Sequence, residues 1–211
     1  MDTNFWLQMW QNNQIGFHRS KPNPQLVQHF KALSLPESSR IFLPLSGKTL
    51  DIGWLLSKGY RVAGVELSEI AVEQLFDELD AEPQVSKVGQ FSLYSAENID
   101  IFVGDIFNLT KEELGTVDAV YDRAALVALP EETRKRYSAH LAKITENAPQ
   151  LLLVYEYDQS LMEGPPFSIS KEEIYKHYRA HYNISLLAEK DLDKLKGKLA
   201  AQEWVWLLEE K

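Results

Sequence analysis

The stretch Arg61-Val62-Ala63-Gly64-Val65-Glu66-Leu67, followed at once by Ser68-Glu69, decides the fold. Its short, near-continuous apolar run is the pattern of a strand buried on both faces of a parallel sheet. Ser68 suits a helix N-cap, because its hydroxyl can accept from an orphan amide of the first turn. Ile70, Ala71, Leu75 and Leu79 then recur near helical spacing and predict the apolar face of that helix. The neighbouring segments repeat this strand–helix unit. Upstream, Arg40-Ile41-Phe42-Leu43-Pro44-Leu45 predicts a first strand and Ser46-Gly47 a turn. Leu50, Trp54 and Leu55 predict a helix that stops at Lys58-Gly59, where glycine supplies the C-cap. Downstream, residues 99–104 and 118–122 predict the third and fourth strands, with Thr110-Lys111-Glu112-Glu113 between them in capping-box form. A helix over 130–147, a fifth strand over 150–157 and a helix from Ser170 to about 181 follow. Two late β segments, 184–189 and 203–208, are separated by a Lys-rich loop and predict an antiparallel hairpin at the sheet edge. The whole predicts a three-layer α/β sandwich.

Composition bounds the function. A chain of 211 residues, 45 % hydrophobic and 25 % charged, predicts one globular domain. With 22 Lys and Arg against 31 Asp and Glu, the net charge of −9 argues against nucleic acid as a partner. The absence of cysteine removes disulfides, thiolate nucleophiles and Cys-type zinc sites. The histidines other than His18 lack metal-ligand spacing, so no metal is expected. Apolar runs such as Leu151-Leu152-Leu153-Val154 fall far short of the ~20 residues of a membrane span. Met1-Asp2-Thr3-Asn4 does not resemble a signal peptide. A soluble, cytoplasmic chain is expected. No exposed heptad or apolar stripe is evident, which makes a monomer the default.

In such a sheet the ligand lies beyond the carboxyl ends of the strands, at the topological switch point. After the first strand, Pro44-Leu45-Ser46-Gly47-Lys48 is neither a Walker loop nor a three-glycine dinucleotide fingerprint. Glu66 stands about 20 residues past that turn, where an acid can accept from both ribose hydroxyls; a solvated carboxylate ahead of a helix explains it equally. In Gly104-Asp105-Ile106-Phe107 a carboxylate beside an apolar residue suits an adenine ring, or is an ordinary turn. In Asp122-Arg123-Ala124-Ala125 the arginine points into the cleft or lies on the surface. Together these describe a nucleoside-binding cleft. Without a full phosphate cradle it favours S-adenosylmethionine over NAD. Before the first strand, Phe5, Trp6, Trp10, Ile15, Phe17 and His18 crowd together, either as a lid stacking on ligand rings or as a helix covering the core.

Over essentially its whole length the chain resembles the thiopurine S-methyltransferase family of class I S-adenosylmethionine-dependent enzymes. The resemblance is carried by Phe5-Trp6 with Trp10, Ile15-Gly16-Phe17-His18, Pro44-Leu45-Ser46-Gly47-Lys48 and Gly64-Val65-Glu66-Leu67-Ser68-Glu69. It continues through Asp122-Arg123-Ala124-Ala125-Leu126-Val127-Ala128-Leu129 and Gly164-Pro165-Pro166-Phe167. It implies a Rossmann-like domain over 1–211, with a mostly parallel seven-stranded sheet and an antiparallel C-terminal strand. Residues 1–38 would form an N-terminal aromatic lid or helical segment. It implies methyl transfer from S-adenosylmethionine to the sulfur of aromatic or heterocyclic thiols such as thiopurines, with S-adenosylhomocysteine as product. Trp10, Leu45, Glu66 and Arg123 match positions that hold the cofactor, with Glu66 on the ribose, and Asp105 and Ile106 fall where the adenine is held. Phe17 matches a substrate contact, and Trp6 and His18 are expected to close with it over the acceptor. Arg123 and Asp122 are the candidate catalytic pair: the arginine favours the thiolate, and the aspartate holds the arginine or its loop. Ser46 stands where many members have cysteine, and Met9 where many bacterial members have a basic residue. Other acceptors, selenium or tellurium compounds or another small thiol, fit the same motifs. A catalytically silent S-adenosylmethionine-binding regulatory module and a nicotinamide oxidoreductase are the remaining readings.

Overall fold

The computed structural model describes residues 3–16, 18–195, 197 and 199–211. Alternation of buried side chains along each strand builds two cores on opposite faces of one sheet. In β1 (Arg40–Pro44), Ile41 and Leu43 face one core and Phe42 the other. The same period of two runs through β2 (Arg61–Glu66), β5 (Ile99–Val103), β6 (Ala119–Arg123) and β7 (Gln150–Glu156). One face is covered by α2 (Pro24–His29), α3 (Leu50–Ser57) and α4 (Glu69–Glu78), through residues such as Leu26, Ile52, Leu55, Val72 and Phe76. The other is covered by α5 (Lys111–Leu114), α6 (Glu131–Ile144) and α7 (Lys171–Tyr178), through Leu114, Tyr137, Leu141, Ile174 and Tyr178. This is the expected three-layer sandwich.

The helix starts are set locally, as the sequence indicates. Ser68 Oγ accepts the Ala71 amide at 3.3 Å, and Ser170 Oγ the Glu173 amide at 3.2 Å. Thr110 and Glu113 form a reciprocal capping box.

Among the described residues the sheet has nine strands where seven were expected, in the order β3 (Gln84–Val88), β4 (Phe91–Ala96), β5, β2, β1, β6, β7, β9 (Leu199–Glu210) and β8 (Tyr182–Leu195). The two additional strands are β3 (Gln84–Val88) and β4 (Phe91–Ala96), an antiparallel hairpin joined to β5. β3 lies at the open edge and is almost wholly exposed, so its sequence needs no apolar run. The hairpin turns at Gly89, whose φ of +56° favours glycine. At the other edge β9 (Leu199–Glu210) runs antiparallel to β7 and pairs with β8 (Tyr182–Leu195). Both exceed the predicted segments, 184–189 and 203–208, at either end. The five strands from β5 to β7 are mutually parallel, and the chain reverses its direction of winding beside β1. Among the described residues, no helix is long and apolar enough to cross a membrane.

Candidate active site at the carboxyl ends of the strands

The reversal opens a cleft beyond the carboxyl ends of β1, β2 and β6. After β1 the backbone enters a left-handed turn, with Leu45 at φ +48° and Gly47 at φ +53°. Such a conformation costs a side-chain-bearing residue about 1–2 kcal/mol, a strain that recurs at ligand clamps. The turn is held from β2: the Ser46 amide donates to the Val65 carbonyl at 3.1 Å, and the Gly47 amide to Glu66 Oε2 at 2.8 Å. Glu66 Oε1 accepts the Ser68 amide at 2.8 Å. Burial pushes the Glu66 carboxyl above its ordinary range, opposed by the amides of Ser68, Gly47 and Leu67.

The N-terminal segment begins with α1 (Thr3–Gln11). Trp10 is buried, and a Cβ added to Gly47 would lie 3.1 Å from its Cζ2. Glycine therefore lets the indole rest on the turn. Lys48 Nζ reaches Glu78 Oε1 of α4 at 2.8 Å. His18 is held below the ordinary imidazole range, first by burial and then by the positive charges of Lys48 and Arg123, with Glu78 opposing.

The facing wall starts at Arg123 and Ala124, at the end of β6. Val127, Tyr155 and the segment Gly164-Pro165-Pro166 continue it, and Leu195 from the tip of the β8–β9 hairpin closes it. Tyr155 is pushed above the ordinary phenol range, by burial first and then by Glu203. Glu203 is itself anchored by Gln25 Nε2 at 3.0 Å. The cavity measures about 520 Å³, within the usual range for small-molecule sites.

Six residues singled out from the sequence line this one cavity: Trp6, Trp10, His18, Leu45, Glu66 and Arg123. Met9 and Ser46 line it too. Asp122 lies beneath its surface, fully buried, bonded to the Tyr137 hydroxyl at 2.7 Å and the Leu126 amide at 3.1 Å. Asp105 and Ile106 stand at the end of β5, outside the cavity lining. Asp105 Oδ1 accepts the Phe107 amide at 3.0 Å, while Ile106 is buried in the core and its carbonyl meets His140 Nε2 at 2.8 Å. Phe17 lies outside the described residues. Arg19, Tyr155 and Leu195 line the cavity without having been singled out. Arg19 follows His18 directly and Tyr155 lies near the carboxyl end of a predicted strand, which are usable signals. Nothing local marks Leu195. Among the described residues, no cluster of three or more His, Asp or Glu is arranged for a metal.

The model of the family described as thiopurine S-methyltransferase (TPMT) matches residues 1–211. The chain belongs to this family. A thiopurine S-methyltransferase of Teredinibacter turnerae is 54 % identical over 209 residues, covering 99 % of this chain and 97 % of the relative. One of Xanthobacter autotrophicus is 52 % identical over 211 residues, covering 99 % of each. Solved structures share the fold at low identity. A Burkholderia thailandensis 1,6-didemethyltoxoflavin-N1-methyltransferase, with 1,6-didemethyltoxoflavin and S-adenosylhomocysteine bound, superposes with a TM-score of 0.67 at 14 % identity. That match covers 99 % of this chain and 87 % of the other. The magnesium protoporphyrin IX methyltransferase of Synechocystis, with S-adenosylhomocysteine bound, gives 0.63 at 14 % identity over 99 % and 100 % of the two chains. As a member of the thiopurine S-methyltransferase family, the chain is an S-adenosylmethionine-dependent S-methyltransferase acting on a small molecule.

Proposed function

We propose that the two halves of the cavity divide the work: the turn at 45–47 with Glu66 and Trp10 holds S-adenosylmethionine, and Arg123 with the lid holds an aromatic thiol. The observation that carries this reading is the Glu66 carboxylate, buried at the cavity wall with a backbone amide 2.8 Å from each oxygen. Each oxygen keeps acceptor capacity for one hydroxyl of a ribose diol, which fits a nucleoside. Gly47 supports the fit, because a Cβ there would press on Trp10 from a left-handed backbone. When bound, S-adenosylmethionine supplies an activated sulfonium methyl, leaving S-adenosylhomocysteine as product.

The chain's own residues then have three tasks. Arg123 favours the ionised acceptor sulfur, whose proton passes to solvent. His18, held neutral, adds no positive charge of its own to that wall. Trp6, Met9 and the proline wall exclude water and hold the acceptor ring in line. Phe17 is assigned to the acceptor ring from the family resemblance alone, and Asp105 with Ile106 to the adenine edge beyond the lining. A soluble, cytoplasmic monomer is the matching physical form.

The test is calorimetric titration with S-adenosylhomocysteine, on the wild type and on Glu66→Ala, followed by turnover on a panel of aromatic thiols and selenols. Micromolar binding that collapses in the variant, with turnover on an aromatic thiol, is expected. A folded wild type that binds nothing would overturn the assignment.

A further inference from the structure

Beneath Arg123 lies a contact that the methyl-transfer reading leaves unused. Asp122 is fully buried at the end of β6, immediately before Arg123. Its Oδ1 accepts the Leu126 amide at 3.1 Å and its Oδ2 accepts the Tyr137 hydroxyl, from α6, at 2.7 Å. Spanned by these bonds is Ala124, at φ +66°, a left-handed conformation that alanine adopts only when the surroundings impose it. A short 3-10 turn, Leu126–Ala128, follows, and the Val127 carbonyl accepts the Phe167 amide at 2.6 Å. One carboxylate thus anchors the turn that carries Arg123 and, a step further, the proline wall.

We propose that Tyr137 is a positioning residue for methyl transfer: by clamping the Asp122 carboxylate it fixes the left-handed turn at Ala124 and aims Arg123 into the cavity. This rests on the reading of that cavity as the methyl-transfer site. Without the hydroxyl, one oxygen of a buried carboxylate loses its side-chain donor, and the amides of Leu126 and Ala125 are left to hold the strained turn.

Among the described residues, the groups facing Asp122 are few. The Tyr137 hydroxyl comes from α6, the Tyr178 hydroxyl from α7, and the Ala125 and Leu126 amides from the turn itself. Tyr182 from β8 and Glu173 from α7 stand behind Tyr178, and across the sheet in β7 the register partner is Leu152. Burial, then neighbouring charge, pushes Tyr137 and Tyr178 well above the ordinary phenol range, so both stay neutral in working conditions. Burial pushes Asp122 up to about 6, and the bonds from Tyr137, Leu126 and Ala125 oppose a further rise. Protonation as pH falls through that value removes the negative charge that strengthens these bonds and makes one oxygen a donor facing the Tyr137 hydroxyl or the turn amide.

The test compares wild type, Tyr137→Phe and Asp122→Asn from about pH 5 to about pH 8. The acceptor is an electron-poor aryl thiol that is ionised throughout, so its own titration drops out. S-adenosylhomocysteine affinity is measured alongside. Tyr137→Phe is expected to lower kcat by about three- to tenfold, the worth of one buried hydrogen bond. KM for the methyl donor and S-adenosylhomocysteine affinity should hold, while the acid limb moves to higher pH. In Asp122→Asn that limb should vanish. If Tyr137→Phe does not fold, the Asp122→Asn profile decides alone. An unchanged kcat and limb in Tyr137→Phe, or a wild-type limb persisting in Asp122→Asn, would overturn the proposal while leaving the cavity's assignment intact. A wild type that neither binds S-adenosylhomocysteine nor turns over would remove the methyl-transfer reading itself.

Discussion

Glu66 Oε2 lies 2.8 Å from the Gly47 amide, so one carboxylate binds the loop that follows β1 to the end of β2. The contact is charge-assisted and buried, which makes it both a brace and a ligand group. Glu66→Gln keeps the shape but removes the charge and one acceptor. S-adenosylhomocysteine affinity should fall about tenfold or more, corresponding to ~1.5–3 kcal/mol for a hydrogen bond to a charged group. Titration calorimetry reads this directly, and an affinity within twofold of wild type would rule the contact out.

Gly47 is irreplaceable for two separate reasons. Its φ of +53° strains any side chain, and its missing Cβ leaves room for Trp10. Gly47→Ala should cost about 1–2 kcal/mol of stability from the backbone alone. It should also shrink the thermal stabilisation conferred by S-adenosylhomocysteine. Differential scanning fluorimetry with and without the ligand separates the two effects.

Arg134 holds the opposite side of the proline segment. It makes a bidentate pair with Glu173, at 2.5 and 3.0 Å, and donates to the Leu129 carbonyl at 2.8 Å. Its guanidinium also stacks 5.8 Å from the centroid of the Phe167 ring. Arg134→Met leaves the partly buried Glu173 carboxylate with His177, at 3.0 Å, as its remaining side-chain partner and should cost about 1–3 kcal/mol in urea unfolding. Adding Glu173→Leu should recover much of that loss. A double variant no more stable than the single one would show that the pair's charges are not what matters.

His18 binds its proton less tightly in the folded chain than in the unfolded one, because burial and then the Lys48 charge oppose it. Its contribution to stability is therefore present above the unfolded value of about 6.5 and lost as pH falls through the range below it. NMR titration should place the His18 midpoint under 6.5, and Lys48→Gln should move it upward. A midpoint at or above the unfolded value in the wild type would contradict the placement of His18 beside that lysine.

How much of this was legible in the sequence follows from what each residue does locally. Ser68, Thr110 and Ser170 act on amides within three positions, so their helix starts can be read from the chain alone. Glu66 and Arg123 follow buried strands and could be placed at the carboxyl edge by that fact. The β3–β4 hairpin lacked an apolar signature because its outer strand covers nothing. Asp122 and Arg123 are adjacent in sequence, yet a strand sends neighbouring side chains to opposite faces, so only one of them reaches the cavity. The Tyr137 hydroxyl bond joins α6 to β6 across 15 positions and the Arg134–Glu173 pair joins α6 to α7 across 39, distances over which local pattern carries no information.

The placing of β9 between β7 and β8 also governs how the chain must be completed. Both neighbours leave the ribosome before the strand that joins them. Until β9 arrives, the Leu151-Leu152-Leu153-Val154 edge of β7 has no partner on that side, and β8 has no sheet to join. A nascent chain halted near residue 199 would present an open apolar edge, the template on which other chains assemble. Damage to the coding sequence for β9 should therefore appear in the cell as aggregation and degradation, and not as a soluble enzyme with weakened activity.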